Sequence, residues 1–133
     1  MTTAERNAAL MSDIAAYIAG LDEFQDIGFY VNGRRYFTDL LSNRDKPQAE
    51  VSPGILMRDY GECDVRDYVE YSNPDTLTMT FEGPFYADYN GVTKRRWQAE
   101  EDLVRIAEKY GLYPEQGYAW SLSFYELPER NSK

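Results

Sequence analysis

The sequence contains no histidine and only one cysteine among its 133 residues. Without histidine the chain has no imidazole general base, no Ser-His or Cys-His catalytic pair and no imidazole metal ligand. The single cysteine, Cys63, excludes an intrachain disulfide. Cys63 lies between Glu62 and Asp64, whose charges are expected to raise the pKa of its thiol and make it a poor nucleophile. We therefore expect a binding protein rather than an enzyme.

Long apolar runs are also missing. No stretch approaches the roughly 20 apolar residues that a membrane-spanning helix needs. The N-terminal segment carries Glu5 and Asp13 and lacks the uninterrupted apolar core of a signal peptide. These features predict a cytoplasmic protein that does not bind membranes.

The common nucleotide, nucleophile, zinc and redox motifs GxxxxGK[ST], GxGxxG, GxSxG, HExxH and CxxC do not occur. An acidic run invites a calcium interpretation, but its spacing does not match the ligands and central glycine of an EF-hand loop. That run is Asp59, Glu62, Asp64 and Asp67. We expect no cofactor and no metal.

Basic residues are few, with 14 Lys and Arg against 23 Asp and Glu, and the net charge is −9. The imbalance is greatest over residues 51–92, where eight acidic residues stand against Arg58 and Arg66 alone. A charge of this sign repels nucleic acids and anionic membranes and attracts basic partners. The sequence therefore predicts no direct nucleic-acid binding.

The apolar content, in contrast, is that of a folded protein. Hydrophobic residues make up 43% and aromatic residues 15% of the chain, which excludes a disordered class. A chain of this length can bury roughly two thirds of its unfolded surface without a metal or a disulfide. We expect a single globular domain over 1–133.

Local patterns predict helices, strands and turns along the chain. A capping box at Thr2 and Glu5 begins a helix over about 3–19, and Asn32-Gly33 predicts a type I′ hairpin that pairs Val31 with Arg34. The same register pairs Tyr30 with Arg35 and Phe29 with Tyr36. Further predictions are a long polar loop over 42–54, strands over 65–71 and 76–81, a short strand over 85–89, a helix from Thr93, a strand over 117–127 and a frayed tail over 128–133.

These elements follow the order α-β-β-β-β-(β)-α-β. Strands outnumber helices and are joined mostly by hairpins, which is typical of the α+β class. We expect a mostly antiparallel sheet of four to six strands with two helices packed on one face. In the last strand, Tyr118, Trp120, Leu122 and Phe124 are expected to face the core.

Tyrosines and acidic residues alternate over the middle of the chain. Tyrosine is common at protein interfaces, and neighbouring carboxylates favour partners rich in Lys or Arg. The predicted partner-binding residues are Asp59, Tyr60, Glu62, Asp64, Asp67, Tyr68, Glu70, Tyr71, Tyr86, Asp88 and Tyr89. The hypothesis is a small binding protein for a basic protein partner, such as an inhibitor of nucleic-acid-binding machinery, an anti-defence protein or an immunity protein.

Two alternatives belong to other classes. One is a small-ligand-binding domain or an enzyme that uses carboxylates and tyrosine, with a pocket between the sheet and 42–54. The other is a structural subunit that forms a homo-oligomer through a sheet edge.

Overall fold

The computed structural model of the chain describes residues 1–21, 24–91 and 94–128. In these ranges the chain forms three α-helices, seven β-strands and two short 3-10 turns. The helices are α1 (Thr3–Gly20), α2 (Gly83–Asn90) and α3 (Lys94–Glu108). The strands are β1 (Ile27–Val31), β2 (Arg34–Thr38), β3 (Gln48–Ser52), β4 (Ile55–Glu62), β5 (Leu77–Phe81), β6 (Leu112–Gln116) and β7 (Ser121–Glu126). Within the described ranges no helix is long and apolar enough to cross a membrane.

The first helix confirms its predicted start. The Thr2 hydroxyl accepts a hydrogen bond from the Glu5 backbone N–H at 3.1 Å, and the Glu5 carboxylate accepts one from the Thr2 N–H at 2.7 Å. This reciprocal pair is a capping box. Leu10, Ile14 and Ile18 recur at helical spacing and are fully buried, so α1 packs its apolar stripe on the sheet.

All seven strands belong to one sheet, in the order β3-β4-β2-β1-β5-β7-β6. Every pairing is antiparallel. The hairpin at Asn32-Gly33 has the predicted register, with Val31 opposite Arg34, Tyr30 opposite Arg35 and Phe29 opposite Tyr36. The α+β class is confirmed, although seven strands exceed the four to six expected and α2 adds a third helix.

The predicted long loop over 42–54 is wrong over much of its length. Residues Gln48–Ser52 form β3, and Pro53-Gly54 turns the chain directly into β4. The sequence predicts a loop here because the segment is polar and rich in proline. It is instead an edge strand, where polar side chains face water and prolines at the ends limit further pairing.

Two other predicted strands are also wrong. Over 65–71 the chain makes a 3-10 turn at Val65–Asp67 and then runs on without sheet pairing. Residues 85–89 lie inside α2. Pro84 occupies the first turn of that helix, where a missing N–H costs nothing, so the Gly83-Pro84 pair begins a helix instead of ending a strand.

The sheet has two unlike faces. On the helix side, α1 and α3 cover the main core, in which Phe29, Met79 and Phe124 are fully buried. The opposite face, which we call the helix-free side, carries a smaller cluster built on Tyr30, Val65 and Val69. Both helices predicted from the sequence thus pack on the same face, as expected.

Residues 63–76 lie across the helix-free side without joining the sheet. The Asn73 N–H donates to the Thr78 hydroxyl at 3.3 Å, and the Ser123 hydroxyl donates to the Tyr71 carbonyl at 3.2 Å. Thr78 lies beneath this segment and is completely buried. The middle of the sheet is therefore covered on both faces.

The last strand begins later than predicted. The Gly117 N–H donates to the Ser121 carbonyl and the Ser121 N–H to the Tyr118 carbonyl, so 117–120 is the turn between β6 and β7. Only Leu122 and Phe124 of the expected core residues lie in the main core; Tyr118 and Trp120 pack on the helix-free side. Residues 129–133 of the predicted frayed tail lie outside the described residues.

Candidate functional site

Seven aromatic side chains form a layer on the helix-free side, which we call the aromatic layer. The ring centroids of Phe37 and Tyr60 lie 4.7 Å apart, and those of Tyr118 and Trp120 stack at 4.9 Å. Tyr68 remains 50% exposed, so the layer keeps apolar area in contact with water. Its members are Tyr30, Phe37, Tyr60, Tyr68, Tyr71, Tyr118 and Trp120.

Gly28 leaves room for the Phe37 ring to approach the backbone of the sheet closely. Gly28 on β1 is paired with Phe37 on β2 and with Thr80 on β5. A Cβ atom at Gly28 would lie 2.5 Å from both Phe37 Cε1 and Thr80 Oγ1, closer than real contacts allow. The Phe37 ring therefore occupies the space that any other residue at position 28 would fill.

The turn at Val65–Asp67 positions Tyr68. The Asp64 carboxylate accepts hydrogen bonds from the Arg66 side chain and from the Arg66 N–H, and these hold the Asp64 pKa at about 2. Val65 and Val69, four residues apart, are buried against the sheet. These two anchors hold Tyr68 on the helix-free side. Its ring contacts that of Tyr30, with the centroids 5.9 Å apart.

Arg35 places a cation within the aromatic layer. Its guanidinium carbon lies 4.0 Å from the Tyr68 ring centroid and 5.4 Å from that of Tyr60. Burial raises the pKa of Tyr30, and a hydrogen bond from Arg35 partly opposes the rise. No carboxylate of the described residues lies within ion-pair distance of Arg35. Among the described residues, rings of the aromatic layer contact this guanidinium.

Beside the layer, the helix-free side opens into a cleft of about 370 Å³. Strands β1, β2 and β5 form its floor, and Tyr68 and Trp120 form one wall. Leu40, Ser42 and Asn43 form the other wall. Asn43 is buried, and two hydrogen bonds satisfy its side-chain amide. The amide oxygen accepts from the Leu40 N–H, and the amide nitrogen donates to the Thr38 carbonyl. These bonds fix the segment that shapes this side of the cleft.

Two carboxylates lie at the end of the cleft. Asp26 precedes β1 and Glu82 follows β5, and the Glu82 N–H donates to the Asp26 carbonyl at 3.1 Å. Both side chains are exposed, and neither has an ion-pair partner within the described ranges. Neighbouring like charges on paired strands repel each other. The cleft therefore joins an apolar wall to a negative end.

Five predicted partner-binding residues lie on the helix-free side: Tyr60, Asp67, Tyr68, Glu70 and Tyr71. Glu70 accepts a hydrogen bond from the Tyr118 hydroxyl at 2.9 Å, which links it to the aromatic layer. Tyr71 lies against Tyr118, with ring centroids 5.2 Å apart. The structure thus brings about half of the predicted set together.

The remaining predicted residues are paired with arginines or lie outside the aromatic layer. Asp59 pairs with Arg34 at 3.0 Å, Asp64 pairs with Arg66 at 2.7 Å, and Glu62 lies at the end of β4. Tyr86, Asp88 and Tyr89 belong to α2, whose Phe85 and Tyr89 join the main core on the helix side. Tyr89 is only 4% exposed, so it offers no surface to a partner, and its prediction as a binding residue is wrong.

The surroundings of Cys63 disfavour its thiolate form. Burial is the main cause that raises the pKa of the Cys63 thiol, with further contributions from Asp64 and Asp67 against the opposing effect of Arg35. Within the described ranges no group of three or more His, Cys, Asp or Glu side chains is arranged to hold a metal ion.

Sequence reasoning missed Asp26, Phe37, Glu82 and Trp120 as site residues. Asp26 and Glu82 are 56 positions apart and become neighbours only because β1 pairs with β5, which no local pattern indicates. Comparison with protein-family models, with curated proteins and with solved structures finds no match to this chain. The geometry of the helix-free side therefore carries the functional conclusion.

Proposed function

We propose that this protein is a binding protein that docks a basic protein partner on the helix-free side of its sheet. The observation that carries the proposal is the partly exposed aromatic layer beside a cleft that ends in Asp26 and Glu82. Tyrosine and tryptophan supply large contact areas at a small entropy cost. Carboxylates next to them select for Lys and Arg on the partner.

The charge of the whole chain supports the same partner class. A net charge of −9 attracts a basic surface over distances up to about one Debye length, roughly 10 Å at 0.1 M salt. Surfaces that bind nucleic acid are rich in Lys and Arg. A nucleic-acid-binding protein that this chain inhibits is therefore a suitable partner.

The proposed docking face differs from the surface predicted from the sequence. It keeps Tyr60, Asp67, Tyr68, Glu70 and Tyr71 and adds Asp26, Glu82, Phe37 and Trp120. It leaves out Asp59 and Asp64, which are paired with arginines, and Glu62 at the end of β4. It also leaves out Tyr86, Asp88 and Tyr89, because α2 packs into the core on the helix side.

A second candidate function is the binding of a small cationic molecule in the cleft. The cleft lies between the sheet and Ser42 and Asn43, where the ligand-binding alternative expected a pocket. Its volume is near the lower end of the roughly 300–1,000 Å³ of small-molecule sites. A cleft of this size suits one side chain or one small amine better than a large ligand.

Selection from a random peptide library tests the proposed partner class without knowledge of the partner. We expect the selected peptides to be rich in Arg and Lys. Their binding should weaken as salt rises from about 0.1 M to about 1 M, where the Debye length falls to about 3 Å. Neutral or acidic selected peptides would contradict the proposal.

Two tryptophan variants show which face the peptides use. Trp120→Ala removes a ring from the aromatic layer, whereas Trp97→Ala removes a ring that is 71% exposed on α3. We expect peptide binding to fall about tenfold or more in Trp120→Ala, as for an interface anchor, and to persist in Trp97→Ala. Loss in Trp97→Ala with retention in Trp120→Ala would place docking on the helix side. Thermal unfolding of both variants checks that each is folded.

A further inference from the structure

We propose that the cleft on the helix-free side is a subsite for one arginine side chain of the partner. This inference rests on the proposed function, because it specifies how a basic partner is recognised there. The ligand would insert its aliphatic stem along the aromatic wall. Its guanidinium would lie against the carboxylates of Asp26 and Glu82.

The aromatic wall suits a guanidinium. Within this layer the chain's own Arg35 already lies 4.0 Å from the Tyr68 ring centroid and 5.4 Å from that of Tyr60. Planar guanidinium groups stack on aromatic rings more readily than ammonium groups do. Phe37 and Trp120 also line the cleft. Arg35 already lies 5.8 Å from the Phe37 ring centroid, so Trp120 is the ring that we expect a second guanidinium to contact.

The negative end of the cleft suits a cation with several donors. Asp26 and Glu82 are adjacent through the hydrogen bond from the Glu82 N–H to the Asp26 carbonyl, and both line the same cleft. A guanidinium has five N–H donors in a fixed plane and can bond two carboxylates at once. Its binding would also relieve the repulsion between the two charges.

A second groove, at the tip of the β1–β2 hairpin, lacks this feature. It has a volume of about 240 Å³ and is lined by Arg34, Arg66 and Asp64 among others. There Asp64 is already paired with Arg66, and Arg34 with Asp59. The carboxylates of the cleft, in contrast, have no cation of the described chain to neutralise them.

A titration followed by NMR tests the subsite with a defined probe, Nα-acetyl-arginine methylamide. We expect saturable shifts of the Ile27, Thr80 and Glu82 amides and of the Trp120 indole N–H. The matched citrulline compound has the same shape without the charge. We expect it to bind about tenfold more weakly, because hydrogen bonds between charged groups are stronger than those of a neutral urea group to a carboxylate. The lysine compound should also bind more weakly than arginine.

Equal binding of citrulline or lysine, or shifts outside the cleft, would overturn the arginine subsite. The Asp26→Asn/Glu82→Gln double variant should lose about tenfold in arginine affinity. The Glu101→Gln/Glu126→Gln variant, which removes two exposed charges on α3 and β7, should bind as the parent does. Unchanged affinity in the cleft variant contradicts the subsite, provided that thermal unfolding shows it to be folded.

The outcomes separate the subsite from the proposed function. If basic peptides bind the aromatic layer while the arginine compound does not enter the cleft, the subsite is wrong and the docking face stands. If the arginine compound binds the cleft but no basic peptide is selected, the proposed protein partner is wrong. The cleft would then be a site for a small cationic ligand.

Discussion

At the scale of single residues, Gly28 decides how the helix-free side is built. We predict that Gly28→Ala destabilises the protein by about 1–3 kcal/mol, the usual cost of overpacking. The added Cβ would lie 2.5 Å from Phe37 Cε1 and from Thr80 Oγ1, so the Phe37 ring or the backbone must move. Urea denaturation measures the change as a lower midpoint with an unchanged slope.

Gly20→Ala provides the matched control. Gly20 ends α1, and a Cβ there would meet no atom within 4 Å. In a helix alanine is more favourable than glycine by up to about 1 kcal/mol, so this variant should be as stable as the parent or more so. If Gly28→Ala matched it, the close approach of Phe37 to β1 would be disproved.

The residues of the site were only partly predictable. Tyr60 and Tyr68 stand out in the sequence because tyrosine beside acidic residues is typical of interfaces. Trp120 was assigned to the core because it alternates with Leu122 and Phe124. The turn at 117–120 breaks that alternation through hydrogen bonds that the residue types alone do not reveal.

At the scale of elements, Asp13 links α1 to the turn that follows α3. Its carboxylate accepts hydrogen bonds from Lys109 Nζ at 2.8 Å and from the Tyr110 hydroxyl at 2.5 Å. Burial raises the pKa of Asp13, but these two bonds outweigh it and the pKa is lowered. Burial and the bond to Asp13 raise the pKa of Tyr110 to about 12. The ionised Asp13 therefore stabilises the folded state.

We predict that Asp13→Asn lowers the free energy of unfolding by about 1–2 kcal/mol at about pH 7. Because the folded-state pKa of Asp13 is lowered, its contribution is complete above the unfolded value of about 3.9 and disappears as pH falls through the folded value. The variant and the parent should therefore converge in acid. Urea denaturation at a series of pH values measures this.

Asp45→Asn, at an exposed carboxylate 3.9 Å from Lys46, should change stability by less than about 0.5 kcal/mol. A constant difference down to low pH would contradict the role of the Asp13 charge.

Elements with strong local signals were predictable, and those that depend on distant partners were not. The capping box of α1 and the Asn32-Gly33 turn are local signals, and each is confirmed. β4 was missed because its charged residues Arg58 and Asp59 find partners on other segments, at Asp39 and Arg34. A strand that lies between two others can carry such pairs without apolar alternation.

At the scale of the whole molecule, the strand order creates the site. β1 occupies the centre of the sheet between β2 and β5, so Asp26 and Phe37 meet Glu82 and Trp120 around one cleft. The sequence indicated the antiparallel sheet and a helical layer but not this order. β1 pairs with β5 across a long stretch of sequence, and no local pattern indicates that pairing.

The excess negative charge also lowers the stability of the folded state through repulsion. We expect this effect to be largest in the cleft, where Asp26 and Glu82 are neighbours. We predict that Asp26→Asn/Glu82→Gln is more stable than the parent at low salt, because it removes two neighbouring charges that have no cation among the described residues. Glu101→Gln/Glu126→Gln reduces the net charge from −9 by the same amount, so it measures the general effect of self-repulsion. The extra gain of the cleft variant over this control reports repulsion between Asp26 and Glu82. It should shrink as salt rises, since screening weakens interactions between exposed charges.

Urea denaturation at low and high salt gives both differences. If both variants gain the same free energy of unfolding, the cleft carboxylates do not repel each other. If the cleft variant gains more, the protein retains these two carboxylates at the expense of stability, as binding sites often require.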